Sequence, residues 1–111
     1  MGRLNYVELP VRDVPGLKTF YADVFGWQFT DYGPDYAATT TGDVDLGLNG
    51  DASQGTAQLL PVIEVEDLEA TLAEVTAAGG AITLPIFAFP GGRRFHFRDP
   101  HGHELAAMKP D

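Results

Sequence analysis

The sequence predicts an α+β fold in which a strand, a helix and about three further strands occur twice. When the chain is shifted by 54 positions, residues 6–13 align with residues 60–67, and both segments end in an aspartate. Each segment alternates apolar residues with period two and then continues with a period near 3.6, which is typical of a strand leading into a helix. The two halves are therefore predicted to be equivalent units, with the helices on one face of the sheet.

Two helices are expected, with Asp13 and Asp67 as their N-caps. The apolar stripe of the first helix comprises Leu17, Phe20, Tyr21 and Val24, and that of the second comprises Leu68, Leu72 and Val75. Gly26 is predicted to end the first helix in a left-handed conformation, and Gly79-Gly80 is predicted to end the second. The residues after each helix are rich in Gly, Thr, Phe and Asp, so short strands and hairpins are expected there.

The length and composition indicate a single domain over residues 1–111, with 44% hydrophobic residues. Module one is expected at about 3–50, a linker at about 51–57 and module two at about 58–109. No apolar run is long enough to cross a membrane, and the first five residues lack the pattern of a secretory signal, so we expect a cytoplasmic protein. The absence of cysteine excludes disulfides, thiolate metal ligands and cysteine nucleophiles.

Neither nucleic acid nor a membrane surface is expected as a partner, because the net charge of −9 would repel phosphates and anionic lipids. Basic residues are concentrated at Arg93, Arg94 and Arg98. This cluster leaves room for a local anion site.

Alternation along the strands assigns side chains to the two faces of the predicted sheet. Val7, Leu9 and Val11 are expected to face the helix. The opposite face is expected to carry three groups of residues, namely Tyr6, Glu8 and Pro10; Leu60, Val62 and Glu64; and, from a last strand at 103–109, Glu104, Ala106 and Met108. A face of mixed polarity suits a ligand pocket.

Two motifs resemble signatures of the vicinal oxygen chelate superfamily, which includes glyoxalases, bleomycin resistance proteins and dioxygenases. The first is Val11-Arg12-Asp13-Val14 followed by the segment 20–27, and the second is the Asp-Pro turn within 97–105. Together with the repeat, the resemblance covers nearly the whole chain. It implies two βαβββ modules that form a curved mixed sheet, with helices on one face and a cavity on the other. It also implies a homodimer, the assembly that commonly completes this cavity.

The resemblance also locates the positions where catalytic members hold a divalent metal. Spacing from the module aspartates and from the Asp-Pro turn places three of these positions at Tyr6, Leu60 and Ala106, and matching Gly42 to Gly102 places the fourth at Leu46. None is an ordinary ligand, whereas a divalent metal needs at least three nitrogen or oxygen donors in fixed geometry. Neither a metal nor another cofactor is therefore expected.

Tyr6 and Glu8 are the two residues of the first strand whose side chains could act on a ligand. Tyr6 could bind or stack on a ligand, or pack against Met108. Glu8 could act as a base or orient a ligand amine, or it could be a structural carboxylate paired with an arginine. The same alternatives apply to Glu64 and Glu104.

His96 lies between Phe95 and Phe97, which are expected to face the helix, so His96 should share the opposite face with Arg94 and Arg98. The trio could bind a carboxylate, phosphate or phenolate, or it could protect an edge strand by charge. His101 and His103 are expected in a surface turn. Trp27 is expected in the core, and residues 85–92 in a loop able to close over a ligand.

The sequence favours a metal-independent protein that binds a small organic molecule, anionic or aromatic in character. The predicted ligand-binding residues are Tyr6, Glu8, Leu60, Val62, His96, Glu104, Ala106 and Met108. Two alternatives remain. One is a glyoxalase-like lyase, isomerase or dioxygenase, with an unorthodox metal site or with metal-free acid–base catalysis by Glu8 and His96. The other is an accessory domain that only dimerises. Fold analogy does not identify the ligand.

Overall fold

A computed structural model describes residues 2–53 and 55–111; Met1, and Gln54 inside the predicted linker, lie outside the described residues. The described residues form ten elements in the predicted order, and the fold is α+β. These are β1 (Arg3–Pro10), α1 (Val14–Phe25), β2 (Phe29–Asp31), β3 (Tyr36–Thr39), β4 (Asp45–Asn49), β5 (Leu60–Glu64), α2 (Leu68–Ala77), β6 (Ala81–Phe89), β7 (Gly92–Arg98) and β8 (Glu104–Pro110).

The chain divides into two compact units, one of residues Tyr6–Leu60 and one of Met1–Asn5 with Pro61–Asp111. In the first unit the strand order is β2-β3-β4-β1, and β1 runs parallel to β4 while the other neighbours are antiparallel. In the second unit the order is β5-β8-β7-β6, with β5 parallel to β8 and the other pairs antiparallel. The same pairing scheme therefore occurs in both units, as the repeat predicted.

Both helices begin and end where the sequence predicted. The carboxylate of Asp13 accepts a hydrogen bond from the Gly16 N–H, and that of Asp67 accepts one from the Ala70 N–H. Gly26 caps α1 in the left-handed region at φ 70°, and Gly79 follows α2 at φ 98°. Within residues 2–53 and 55–111, neither helix is long and apolar enough to span a membrane.

Each unit has its own apolar core between its helix and its sheet. In Tyr6–Leu60 the core consists of Val14, Ala37 and Leu48, with Leu9 and Leu17 packed against it. In the other unit it consists of Leu68, Phe95 and Ala107, with Leu72 and Val75 packed against it. Leu9 and Phe95 thus face the helices as predicted, and alternation leaves Tyr6, Glu8, Val62 and His96 on the opposite face.

Three local predictions were wrong. Phe20 and Val24 are 53% and 55% exposed, because only Leu17 and Tyr21 of the predicted stripe lie against the core. Trp27 is 40% exposed, since it follows the left-handed turn at Gly26 that ends the helix. The predicted loop at 85–92 is mostly strand β6. Its Pro85 is tolerated because β6 lies at the end of the strand order and its pairing with β7 shifts register between Leu84 and Phe87.

Phe95→Ala should test the core of the second unit. Phe95 is fully buried against Leu68 and Ala107, so we expect a loss of about 3–5 kcal/mol in the free energy of unfolding, measured by urea denaturation. Phe20→Ala removes the same side chain from an exposed position and should change this free energy by less than about 0.5 kcal/mol. Equal losses in the two variants would contradict the assignment of Phe95 to the core.

Candidate functional site

The face of the first unit that lies opposite α1 is formed where β1, β4 and β3 meet side by side. Glu8 of β1 lies beside Gly47 of β4, and Gly47 in turn lies beside Ala38 of β3. Tyr36 lies beside Asn49 in the same register. Since side chains two residues apart on a strand share a face, this register brings Glu8, Tyr36 and Asn49 together.

Glu8 is the centre of a buried hydrogen-bond network. Its side chain is only 2% exposed. The Tyr36 hydroxyl donates to Glu8 Oε1 at 2.9 Å, and the Asn49 amide donates to Glu8 Oε2 at 3.4 Å. The Tyr6 and Tyr36 hydroxyl oxygens are 2.5 Å apart and share a further hydrogen bond. A buried carboxylate is tolerated only when such partners satisfy its oxygens.

The surroundings of Tyr36 shift the pKa of its hydroxyl. Burial, together with the negative charge of Glu8, raises the pKa of Tyr36 far above its ordinary value. Tyr36 therefore stays protonated and continues to donate its hydrogen bond to Glu8 in alkaline solution.

The register corrects one of the four positions at which the superfamily holds metal. In the second unit, Val62 pairs with Ala106; in the first, the residue equivalent to Val62 is Glu8, which pairs with Gly47. Gly47, and not Leu46, is thus the equivalent of Ala106, and Leu46 packs on the helix side. The prediction slipped by one residue, which exchanges faces in a strand. A Cβ on Gly47 would collide with the hydroxyls of Tyr6 and Tyr36, which occupy the space above it.

In the second unit, His96 of β7 pairs directly with Ala106 of β8, and Ala106 pairs with Val62 of β5. Register therefore brings these three predicted residues side by side. All are buried, and His96 is only 3% exposed. Its Nδ1 lies 3.6 Å from Glu104 Oε2.

Glu104 and Arg94, in the same unit as His96, make further contacts with polar and aromatic side chains. The Thr83 hydroxyl donates to Glu104 Oε2 at 2.9 Å. The Arg94 guanidinium carbon lies 5.3 Å from the centroid of the Phe87 ring and 5.4 Å from that of Phe89. The Phe87 ring is also 5.8 Å from the imidazole of His96. Basic and aromatic groups are thus interleaved around His96.

The remaining candidates lie outside these clusters. Leu60 ends the first unit and is fully buried. In the second unit, the Met108 sulfur accepts a hydrogen bond from the Asn5 amide, and Glu64 forms an ion pair with Arg3 at 3.7 Å. His101 and His103 lie in the exposed Asp-Pro turn as expected, where the carboxylate of Asp99 contacts His103 Nδ1 at 2.9 Å.

The residues do not fit the metal that the superfamily implies. The four equivalent positions hold Tyr6, Gly47, Leu60 and Ala106, of which only Tyr6 offers an oxygen, and its hydroxyl is engaged with Tyr36. Within the described ranges, no three His, Cys, Asp or Glu side chains are grouped so that they could hold a metal ion.

A cavity of about 520 Å³ lies elsewhere in the first unit, at the end of α1. Its lining includes Val7, Trp27, Thr40, Val44 and Leu46, of which Leu46 also packs against the core beside α1. As far as the structure describes the chain, its lining includes none of the eight residues predicted to bind ligand. Their assignment to ligand binding stays a prediction.

Sequence reasoning missed Tyr36, Asn49 and Gly47. The pairings of β1 with β4 and of β4 with β3 were needed to find them, because Tyr36 lies 28 residues from Glu8 and Asn49 lies 41 residues away. The one local signal was a short apolar run, Tyr36-Ala37-Ala38-Thr39, that follows the turn residues Gly33 and Pro34.

The chain belongs to the Glyoxalase/Bleomycin resistance protein/Dioxygenase superfamily, whose sequence profile matches residues 3–107. It is similar to the candidate glyoxylase CFP32 of Mycobacterium bovis and of Mycobacterium tuberculosis, with 29% identity over a 119-residue alignment in both cases. The alignment covers 91% of this chain and 43% of those proteins, so the chain spans less than half the length of these curated relatives.

Solved structures show the same fold at low sequence identity. A glyoxalase/bleomycin resistance protein/dioxygenase superfamily member from Vibrio splendidus is 21% identical with a TM-score of 0.74, covering 98% of this chain and 99% of that one. A methylmalonyl-CoA epimerase from Mycobacterium tuberculosis is 16% identical with a TM-score of 0.76, covering 97% and 87%. A Mn(II)-bound glyoxalase from Novosphingobium aromaticivorans is 23% identical with a TM-score of 0.72, covering 98% and 40%.

The raised pKa of Tyr36 predicts a specific loss of stability in alkali. Because the unfolded tyrosine ionises near pH 10.0 and the folded one does not, the contribution of Tyr36 is complete below that pH and declines above it. The stability advantage of the wild type over Tyr36→Phe should shrink by about 1.4 kcal/mol per pH unit above pH 10. Urea denaturation between pH 8 and 11 measures this difference.

Phe20→Ala serves as a control without a titrating group, and its difference from the wild type should not depend on pH in this range. A pH-independent difference for Tyr36→Phe as well would show that Tyr36 ionises equally easily in the folded and unfolded chains.

Proposed function

We propose that the chain is a metal-independent module that binds a small organic molecule, anionic or aromatic in character, through the sheet face opposite its helices. The proposal rests on one observation about that face, namely that donor side chains are missing at the metal positions and present at others. Positions equivalent to metal ligands hold Tyr6, Gly47, Leu60 and Ala106, while two other positions hold the buried ionisable residues Glu8 and His96.

Burial of Glu8 and His96 supports a binding role. A carboxylate or an imidazole at 2–3% exposure costs several kcal/mol of desolvation unless it is paired, and clustered buried ionisable groups are enriched at functional sites. Each is surrounded by further polar or aromatic groups, with Tyr36 and Asn49 at Glu8 and with Phe87 and Glu104 at His96. These are the groups with which proteins orient organic acids and aromatic rings.

We propose ligand-binding residues in each unit, namely Tyr6, Glu8 and Leu60 in the first and Val62, His96, Glu104, Ala106 and Met108 in the second. The apolar members supply contact area, and the polar members fix the orientation of the ligand. A homodimer in the cytoplasm is the expected setting, and analytical ultracentrifugation would test the dimer.

Acid–base catalysis without a metal is the second candidate function. It is favoured by the Tyr36 hydroxyl donating to Glu8, which gives a positioned carboxylate with a fixed proton donor beside it. The similarity to a candidate glyoxylase points in the same direction. Its test is deuterium exchange, in D2O, of the thiol adduct of a small 2-oxoaldehyde. Exchange that disappears in Glu8→Gln would favour catalysis over binding alone.

Metal and ligand titrations distinguish the candidates. We expect Zn, Ni, Mn and Fe(II) to leave the melting temperature unchanged, and a library of aromatic and aliphatic carboxylic acids to contain compounds that raise it in a saturable manner. Glu8→Gln and His96→Gln should abolish that rise. A saturable rise with one metal per chain, lost in these variants, would contradict metal independence.

The matched controls are Glu66→Gln and His101→Gln, which make the same substitutions at exposed positions and should keep the response to ligand. Binding that survives in both Glu8→Gln and His96→Gln would contradict the proposed face.

A further inference from the structure

The cavity at the end of α1 has features of a binding site that the sheet face opposite the helices does not share. Its lining includes the aliphatic side chains of Val7 and Leu46 and the indole of Trp27. The volume of about 520 Å³ lies within the range of small-molecule sites, roughly 300–1,000 Å³. A site of this size accommodates a bicyclic or tricyclic ring system.

Trp27 presents an aromatic surface held in place by other rings. Its indole stacks on Tyr21 at 5.4 Å between centroids and on Phe25 at 5.1 Å, with interplanar angles of 17° and 28°. The Tyr21 and Phe25 centroids are only 6.2 Å apart, too close for these rings to lie on opposite faces of the indole. Part of Trp27 therefore stays exposed, 40% of the residue, as a preorganised stacking surface.

The charge at the cavity is negative. The Asp45 carboxylate lines it and accepts hydrogen bonds from the Thr39 and Thr41 hydroxyls and from the Thr41 and Gly42 N–H groups, at 2.7–3.0 Å. Burial alone would raise the pKa of Asp45, but these hydrogen bonds outweigh burial and hold the pKa below its usual value. The carboxylate thus stays ionised, in a chain whose net charge of −9 already disfavours anions.

We propose that this cavity binds a planar aromatic cation, which stacks on Trp27 and directs its positive charge toward Asp45. Tryptophan is the strongest aromatic partner for cations, and a nearby carboxylate adds to the attraction. The site is distinct from the proposed ligand-binding residues, because none of those eight residues lines the cavity, although Asp45 lies beside Tyr6 in the register of β1 and β4.

The test uses the fluorescence of Trp27, which is the single tryptophan of the sequence. The probe is 1-methylquinolinium, a bicyclic cation that quenches indole on contact, and 2-naphthoate is an anion of similar shape. We expect saturable quenching by the cation and, by calorimetry on Glu8→Gln, in which the proposed response to organic acids is removed, a dissociation constant at least about tenfold higher for the anion. Linear quenching without saturation, or equal affinity for the two probes, would overturn the proposal.

Two exposed valines give matched variants. Val44 borders the cavity and is 57% exposed, whereas Val24 is 55% exposed on α1 and does not line it. Val44→Lys should weaken binding of 1-methylquinolinium by about tenfold or more, and Val24→Lys should leave it within about twofold of the wild type. Equal effects of the two variants would assign the quenching to nonspecific attraction and overturn the proposal.

Glu8→Gln separates this proposal from the function proposed above. We expect it to abolish the response to organic acids and to leave binding of 1-methylquinolinium unchanged. Loss of both responses in a variant that keeps the circular dichroism spectrum of the wild type would show one shared site and overturn the second site. Cation binding without any response to organic acids in the wild type would support the second site and contradict the first.

Discussion

The buried carboxylate of Glu8 is the constraint on which the first unit depends. A carboxylate at 2% exposure requires donors on both oxygens, and these come from Tyr36 on β3 and Asn49 on β4. Those donors reach Glu8 only if β1 lies beside β4 and β4 beside β3 in the observed register. A slip by one residue would turn Tyr36 and Asn49 to the helix side and leave the charge unpaired.

Equivalent positions of the two units carry side chains of different polarity. Register aligns Glu8 with Val62, Gly47 with Ala106 and Asn49 with Met108. On this face β1 carries Tyr6 and Glu8 where β5 carries Leu60 and Val62. The buried histidine of the second unit, His96, lies where the first unit has Ala38. The buried carboxylate of the first unit, Glu8, and the buried imidazole of the second, His96, therefore lie on strands that are not equivalent in the repeat.

Much of the fold followed from local patterns. The caps at Asp13 and Asp67, the end of α1 at Gly26 and the face assignments of β1, β7 and β8 rest on short-range rules, and the structure confirms them. Exposure was harder to predict. Phe20 and Trp27 are apolar enough for a core, but whether a core covers them depends on packing across the unit.

The candidate site could be predicted only in part for the same reason. Tyr6, Glu8 and His96 follow from alternation within single strands, whereas Gly47 and Asn49 require the pairing of β1 with β4 and Tyr36 requires the pairing of β3 with β4. The misplacement of the metal position on Leu46 arose from counting along the chain between glycines, a method that cannot detect a one-residue difference in loop length. The pairing register resolves that difference directly.

Gly47 limits the routes by which this protein could change its chemistry. Any larger side chain there must first displace the Tyr6 and Tyr36 hydroxyls, and moving Tyr36 removes a donor from Glu8. A single mutation that introduces a histidine or glutamate at position 47 would therefore disrupt the network before it could supply a ligand. Conversion to a metalloenzyme would need several substitutions together, so the tyrosine pair makes the effect of each substitution in the first unit depend on the others.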